Sequence, residues 1–259
     1  MNPTRALSPE QIEVFANDGV VTVQQAVTAS DVAAMRDRLW ADLERRYDLK
    51  RNDPATWAVH RVFSFQPLIK TGAFAALANP IVRDAIDQVL GDRPWEEPRH
   101  WGQPLVTFPS PPPWNLPHAE WHLDIQASAS DPSVARVFTF LEPSGPHGGG
   151  TAYVVGSHRL VRALGAAEPP GAKLSSSQVR ARLAADPWFA ALWTNGAHED
   201  RRRFMHDTAI VKGVEVQVRE MTGEPGDIVV MHPLMLHAFT PNVSSRPLMM
   251  LTQTIYGKR

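Results

Sequence analysis

Apolar residues recur at helical spacing over the first third of the chain and at alternate positions afterwards, and the two textures predict different structure. Ser8-Pro9-Glu10-Gln11 combines a capping serine, a proline at the first helical position and a glutamine at the third. A helix therefore starts there and stops near Asp18-Gly19. Val20 to Val23 follows as a short strand. Thr28 or Ser30 caps a second helix, in which Val32, Met35, Leu39 and Leu43 form the apolar stripe while arginines and aspartates fill the other face. Asn79-Pro80 opens a third, with Ile81, Ala85, Ile86 and Val89 on its apolar side and Gly91 as its stop. Residues 1–91 thus read as a helical support.

Beyond Gly91, proline and glycine clusters separate short runs rich in Val, Phe, Thr and Leu. The predicted strands are Leu105 to Phe108, Glu120 to Gln126, Ala135 to Leu141, Thr151 to Val155, Val214 to Arg219, Asp227 to Met231 and Pro247 to Tyr256. Short strands divided by turn signals point to an antiparallel sandwich or barrel, so the fold class is mainly β within α+β. Ser175 to Trp193 interrupts them as a helical segment broken at Asp186-Pro187, and the polar run His198 to Arg203 follows. A chain of 259 residues is expected to form one domain, residues 1–259. Within it, residues 92–259 make the core and about 160–212 a lid-like insert.

Composition narrows the chemistry. With 20% charged residues and a net charge of −1 there is no basic excess to attract phosphate backbones, so no nucleic-acid partner is expected. No stretch resembles a signal h-region or a membrane span, which makes a cytoplasmic protein without a membrane partner the expectation. The chain carries no signal for an oligomeric state. Cysteine is absent, which removes disulfides, thiolate ligands and cysteine nucleophiles and leaves His, Asp and Glu as metal ligands.

One stretch uses those residue types in a telling pattern. In Glu120-Trp121-His122-Leu123-Asp124-Ile125-Gln126, strand alternation sends His122 and Asp124 to one face and Trp121, Leu123 and Ile125 to the other. A carboxylate facing a barrel interior needs a metal or a partner to offset its desolvation. A third ligand of histidine type would complete a two-His, one-carboxylate set. His198, His206, His232 and His237 are the late candidates. His232 and His237 both flank the strong strand Gly226 to Met231, and Pro233 breaks the alternation, so parity does not choose between them.

Taken together, "WHLD", "GPHGGGTAYVVGSHR" and "GDIVVMHPLMLHAFTPNVSSRP" resemble the phytanoyl-CoA dioxygenase family of iron(II)/2-oxoglutarate oxygenases, and the opening "LSPEQIEVFANDGVVTV" is similar to that family's N-terminal helix and strand. The resemblance spans nearly the whole chain in the same order. It implies a double-stranded β-helix, the cupin-like jelly roll, with the N-terminal helices packed on its sheet. It also implies Fe(II) held by His122, Asp124 and His237, 2-oxoglutarate as co-substrate with Arg246 as its anchor, and O2. The implied reaction hydroxylates or desaturates an unactivated C–H of a small-molecule substrate as 2-oxoglutarate is decarboxylated to succinate and CO2. Related halogenases lack the carboxylate, so Asp124 argues for hydroxylation or desaturation.

The physical chemistry is compatible with that set. A facial triad leaves positions open for a bidentate 2-oxo acid and dioxygen, and arginine pairs a distal carboxylate bidentately while keeping its charge. Two positions depart from the family pattern: Val155 stands where proline is common, and Phe239 where some members have a serine that helps hold the co-substrate. Thr151, Thr240 and Ser244 are the candidate replacements for that hydroxyl. Trp101, Trp114, His118, Gln126 and Trp193 are assigned to the substrate pocket, because aromatic and polar side chains outside the helical core commonly line such sites. His158 and Arg159 are read as structural residues of a turn, His147 as part of a mobile loop, and Arg201-Arg202-Arg203 as a solvated face. A cupin-like isomerase or a metal-dependent hydrolase is the alternative function. A binding module, with His122 and Asp124 merely structural, is the third.

Overall fold

The computed structural model describes residues 5–57, 61–62, 64–130, 133–196 and 200–258. His198, one of the late ligand candidates, lies outside them. The local capping chemistry sets the first elements: Ser8 and Gln11 form a reciprocal capping box on the helix Pro9–Asp18. Gly19 ends that helix at φ +81°, a left-handed conformation that turns the chain straight into the strand Val20–Val23. Thr28 caps Ala29–Tyr47, which buries Val32, Met35, Leu39 and Leu43. Asn79 caps Pro80–Val89, but the buried positions there are Val82, Ala85 and Ile86, while Ile81 faces solvent. The expected stripe was thus one residue off at its start.

Six antiparallel strands form the larger sheet, in the order Val20–Val23, Ile228–Met231, Val134–Phe140, Leu248–Tyr256, Gln103–Thr107 and Arg61–Val62. Three more form the smaller sheet, in the order Val218–Glu220, Thr151–Val154 and His237–Phe239. Non-consecutive neighbours throughout give the crossed connections of a double-stranded β-helix. On its outer face the larger sheet carries Val137, Met249, Leu251 and Ile255 against the N-terminal helices in one hydrophobic core. Its inner face runs in cross-strand rows set by register. Met231, Arg136 and Thr254 form one row, and Val229, Phe138, Thr252 and Gln103 the next. Phe140, Met250 and Leu105 follow, and then Leu248 beside Thr107. Phe138, Phe140, Met231, Leu248 and Met250 fill the space between the sheets.

The segment 160–212 differs from the expected lid. Its helices Ser176–Leu183 and Pro187–Leu192 bury Val179, Leu183, Phe189 and Leu192 against Ala152, Val154, Val218 and Ala238 on the outer face of the smaller sheet. Four apolar residues at helical spacing need a sheet face to cover them, and the segment becomes a packed layer. Arg201 is buried too, donating from Nε to the Leu116 carbonyl at 2.8 Å and from Nη1 to that of Thr194 at 3.2 Å, so it is a brace and not part of a solvated face. No helix among the described residues is long and apolar enough to cross a membrane.

His158 and Arg159 open a helix, Ser157–Ala166, where a turn was expected. His158 is buried, with Nε2 3.1 Å from the Ala16 carbonyl and its ring 4.8 Å from that of His232. Burial is the main reason both titrate low, His158 at about 4 and His232 at about 3, against the ordinary 6.5. The unfolded chain takes up these protons near 6.5 and the native one only near 3 to 4, so the stability they confer is whole above 6.5 and lost as pH falls through that window. Between pH 7 and pH 5 the linkage amounts to about 2 kcal/mol per histidine. Urea unfolding at the two pH values is expected to show the loss, and replacing His158 by glutamine to reduce it; equal midpoints would contradict a neutral buried pair.

Candidate metal centre

The segment bearing His122 and Asp124 alternates as its sequence implies but is not a strand. Trp121 and Leu123 are buried in the core behind the smaller sheet, and His122 makes a single antiparallel bridge to His237. Their backbones exchange both hydrogen bonds, His122 N–H to the His237 carbonyl at 2.9 Å and His237 N–H to the His122 carbonyl at 3.1 Å. Pairing ends there because the Leu123 N–H donates to the Ser176 hydroxyl at 3.0 Å instead of to a neighbouring strand, and the chain bends at Asp124. Glu120 sits at φ +65°, uncommon for a residue with a side chain.

That local geometry fixes the rings. His122 Nδ1 lies 2.8 Å from the Glu120 carbonyl and His237 Nδ1 2.9 Å from the Met235 carbonyl. A carbonyl only accepts, so each Nδ1 carries a proton and each Nε2 is the nitrogen placed to meet a metal. Burial holds His237 at about 4, well below its ordinary value, although nearby Asp124 pulls the other way; the ring is neutral at pH 7. Ligand atoms of His122, Asp124 and His237 lie within 4.8 Å of one another, with His237 Nε2 3.7 Å from Asp124 Oδ1. Asp124 Oδ2 is buried without a hydrogen-bond partner among the described residues. Two imidazoles, a carboxylate with an orphaned oxygen and no thiolate fit a first-row divalent metal such as iron(II).

Opposite the triad stands a residue that the sequence reading passed over. Arg136 donates from Nη1 to Asp124 Oδ1 at 2.6 Å and from Nε to the Thr252 hydroxyl at 3.0 Å. Its signal was legible: in "VARVFTF", parity puts a lone charge on the same face as Phe138 and Phe140.

Other predicted site residues fall elsewhere. Thr151 is buried and lines a cavity of about 90 Å³ with Phe239, Leu248 and Leu105. Thr240 has the opposite parity to His237 and Phe239, and its hydroxyl is held 2.6 Å from the Gly150 carbonyl and 2.9 Å from Glu220 Oε1. Ser244 braces a bend, donating toward Asn242 Oδ1 at 2.7 Å and the Arg246 carbonyl at 2.9 Å. Arg246 lies in that bend outside the strand Leu248–Tyr256, exposed, with no partner for its guanidinium among the described residues. The strand expected from Pro247 starts one residue later, at Leu248, which is its first inward position. Trp114 is buried and stacked on His147, ring centroids 4.0 Å apart, so His147 is a packed residue. Trp101 packs in the helical core with Nε1 donating to Glu97 at 2.8 Å, and Trp193 packs on Phe189 beneath Arg180. His118 is half-buried, and exposed Gln126 lines a separate cavity with Ile125 and Lys173.

Residues 15–249 match the model of the phytanoyl-CoA dioxygenase family, and the chain belongs to that family. It is an enzyme of the iron(II)- and 2-oxoglutarate-dependent oxygenase class, with dioxygen as the second co-substrate. No curated protein matches it in sequence. Among solved structures it is similar to EctD from S. alaskensis with 2-oxoglutarate and 5-hydroxyectoine, at 14% identity over 99% of this chain and 78% of that one, TM-score 0.58. It is similar also to HygX from Streptomyces hygroscopicus with nickel and 2-oxoglutarate bound, at 14% identity over 97% and 88%, TM-score 0.57. A third likeness is to SnoK, a non-heme alpha ketoglutarate dependent carbocyclase from nogalamycin biosynthesis, at 16% identity over 100% and 87%, TM-score 0.55. At these identities the likeness is one of fold, the double-stranded β-helix.

Proposed function

We propose that the chain hydroxylates an unactivated C–H of a small-molecule substrate, with His122, Asp124 and His237 holding the iron. The observation that carries this reading is the convergence of three ligand atoms within 4.8 Å around a buried, unpartnered carboxylate oxygen. When bound, iron with 2-oxoglutarate supplies the oxidising power, and the co-substrate leaves as succinate and carbon dioxide. The protein's part is orientation and exclusion of water. The two backbone carbonyls hold the imidazoles by their Nδ1–H groups, and Phe138, Phe140 and Met250 keep the space behind the site dry. A cavity of about 590 Å³, a size that suits a small molecule, is lined by Arg136, Thr252 and Thr254, and Arg136 joins it to Asp124. The presence of Asp124 supports hydroxylation or desaturation over halogen transfer, and the bound ligands of EctD and HygX support 2-oxoglutarate as the co-substrate.

Anaerobic titration of metal-free protein with iron(II) and then 2-oxoglutarate tests the reading. A weak visible charge-transfer absorption of the chelated 2-oxo acid is expected in the wild type and is expected to vanish in His122→Ala. Its absence with iron demonstrably bound would move a non-redox cupin-like isomerase or hydrolase to the front.

A further inference from the structure

An inward-facing cation beside the triad has work left to do. The side chain of Arg136 is one-fifth exposed and its guanidinium donates to three groups: Nη1 to Asp124 Oδ1 at 2.6 Å and to the Thr254 hydroxyl at 3.4 Å, and Nε to the Thr252 hydroxyl at 3.0 Å. Nη2 has no partner among the described residues, and the side chain borders the cavity of about 590 Å³. Nε and Nη1 lie on different edges of the planar group, so these contacts fix its plane and leave Nη2 as the charged donor, held in a fixed direction, that a carboxylate can meet. Gln103, Arg99 and His100 add hydrogen-bonding side chains to the same cavity.

The second space near the triad lacks such a group. The cavity of about 90 Å³ reached past Phe239 is walled by Val62, Leu105 and Leu248, and its polar side chains are the hydroxyls of Ser64, Thr107 and Thr151 and the amide of Gln103. Arg246 stands outside it. Neutral donors alone are a poor match for a buried carboxylate, whose desolvation calls for a cation.

We propose that Arg136 is the residue that receives a ligand carboxylate at the metal mouth, in place of Arg246. The inference rests on the oxygenase reading for its metal, and two sources supply the same chemistry: the 2-oxo acid itself or a carboxylate on the primary substrate. Arg136 is a binding and positioning residue, since its Nη1 also holds Asp124.

Calorimetric titration of the nickel(II)-substituted, oxygen-inert protein separates these cases. The ligands are 2-oxoglutarate, 2-oxopentanoate, which lacks the distal carboxylate, and propionate added to protein already saturated with 2-oxoglutarate. The variants are Arg136→Gln, Arg136→Lys and Arg246→Gln, each checked first for stoichiometric nickel. If the 2-oxo acid is the source, Arg136→Gln weakens 2-oxoglutarate at least about tenfold, Arg136→Lys restores part of it, and Arg246→Gln leaves it within about twofold. Loss of 2-oxopentanoate binding in parallel would place the pairing at the metal-bound carboxylate, and its retention at the distal one. If the substrate is the source, 2-oxoglutarate affinity is unchanged and the binding of propionate seen in wild type disappears in Arg136→Gln. With nickel retained, unchanged affinity for all three ligands, or loss of 2-oxoglutarate in Arg246→Gln alone, would overturn the proposal. A wild type that holds nickel but never binds 2-oxoglutarate would instead refute the oxygenase reading, and the propionate arm, run on the nickel protein alone, would then decide the role of Arg136.

Discussion

Replacing Asp124 by alanine is expected to lower iron(II) affinity at least about 100-fold while the metal-free protein keeps its fold. Alterations one shell out from a metal already weaken binding about 10- to 100-fold, and here the change removes a ligand outright. It also reverses the local charge. Asp124 is the carboxylate that Arg136 pairs with, so the variant leaves two imidazoles facing an uncompensated guanidinium 2.6 Å from where the carboxylate oxygen had been. A cation entering that site meets repulsion in place of attraction. The fold tolerates the loss because Asp124 lies at a bend with its buried Oδ2 unpartnered, so no backbone hydrogen bond and no packed core depends on the side chain. Asp124→Asn separates shape from charge: it keeps a group to accept from Arg136 yet is expected to bind iron far more weakly than the wild type. Metal content after anaerobic dialysis, beside the circular dichroism of each apo-protein, measures both effects. Retention of iron within about tenfold by Asp124→Ala would mean that Asp124 is only the ion-pair partner of Arg136, and the binding-module reading would gain.

Capping and alternation made much of this architecture legible, because both are local. The Ser8/Gln11 box and Asn79 mark helix starts that the structure has, Thr28 is the one of its two candidates that caps, and the break expected at Asp186-Pro187 falls where Asp186 caps a new helix. The stripe of the third predicted helix slipped for a physical reason: Ile81 and Val82 are both apolar, both lie at helical spacing from Ala85, and only the packed neighbour decides which is buried. Around His122 the alternation held and the hydrogen bonding did not. Periodicity reports which face a side chain takes, whereas the ladder depends on partners, and the acceptor for Leu123 is Ser176, 53 residues away. Arginines were the least legible residues for the same reason. Arg201 is buried because the Leu116 and Thr194 carbonyls happen to converge on it, and Arg136 is half-buried because a carboxylate stands opposite its strand. Arg246 shares its parity with Leu248 but sits in a bend organised by Asn242, whose Nδ2 donates to the Arg246 carbonyl at 2.7 Å. Parity carries no information once the chain leaves the strand.

Trp121→Ala is expected to be the most destabilising single change near the site. Trp121 is 1% exposed, the largest of the fully buried side chains, and its Nε1 donates to the Pro117 carbonyl at 2.9 Å. Truncating a buried tryptophan costs about 3–5 kcal/mol, which for a chain of this size lowers Tm by about 10 °C. The effect should reach the metal as well. Trp121 anchors one side of His122 in the core behind the smaller sheet, and Leu123 anchors the other, so the cavity loosens the residue whose backbone pairs with His237. Iron affinity is therefore expected to fall in Trp121→Ala although no ligand is touched, whereas Trp121→Phe, which refills most of the volume and forfeits one hydrogen bond, should recover most of both properties. Differential scanning fluorimetry of the apo- and metal-loaded forms reads the two effects together. A Tm shift below about 2 °C in the alanine variant would show that the layer formed by residues 176–192 unfolds independently of the barrel; a normal shift with undiminished iron affinity would show that the His122–His237 backbone pair alone fixes the ligand geometry.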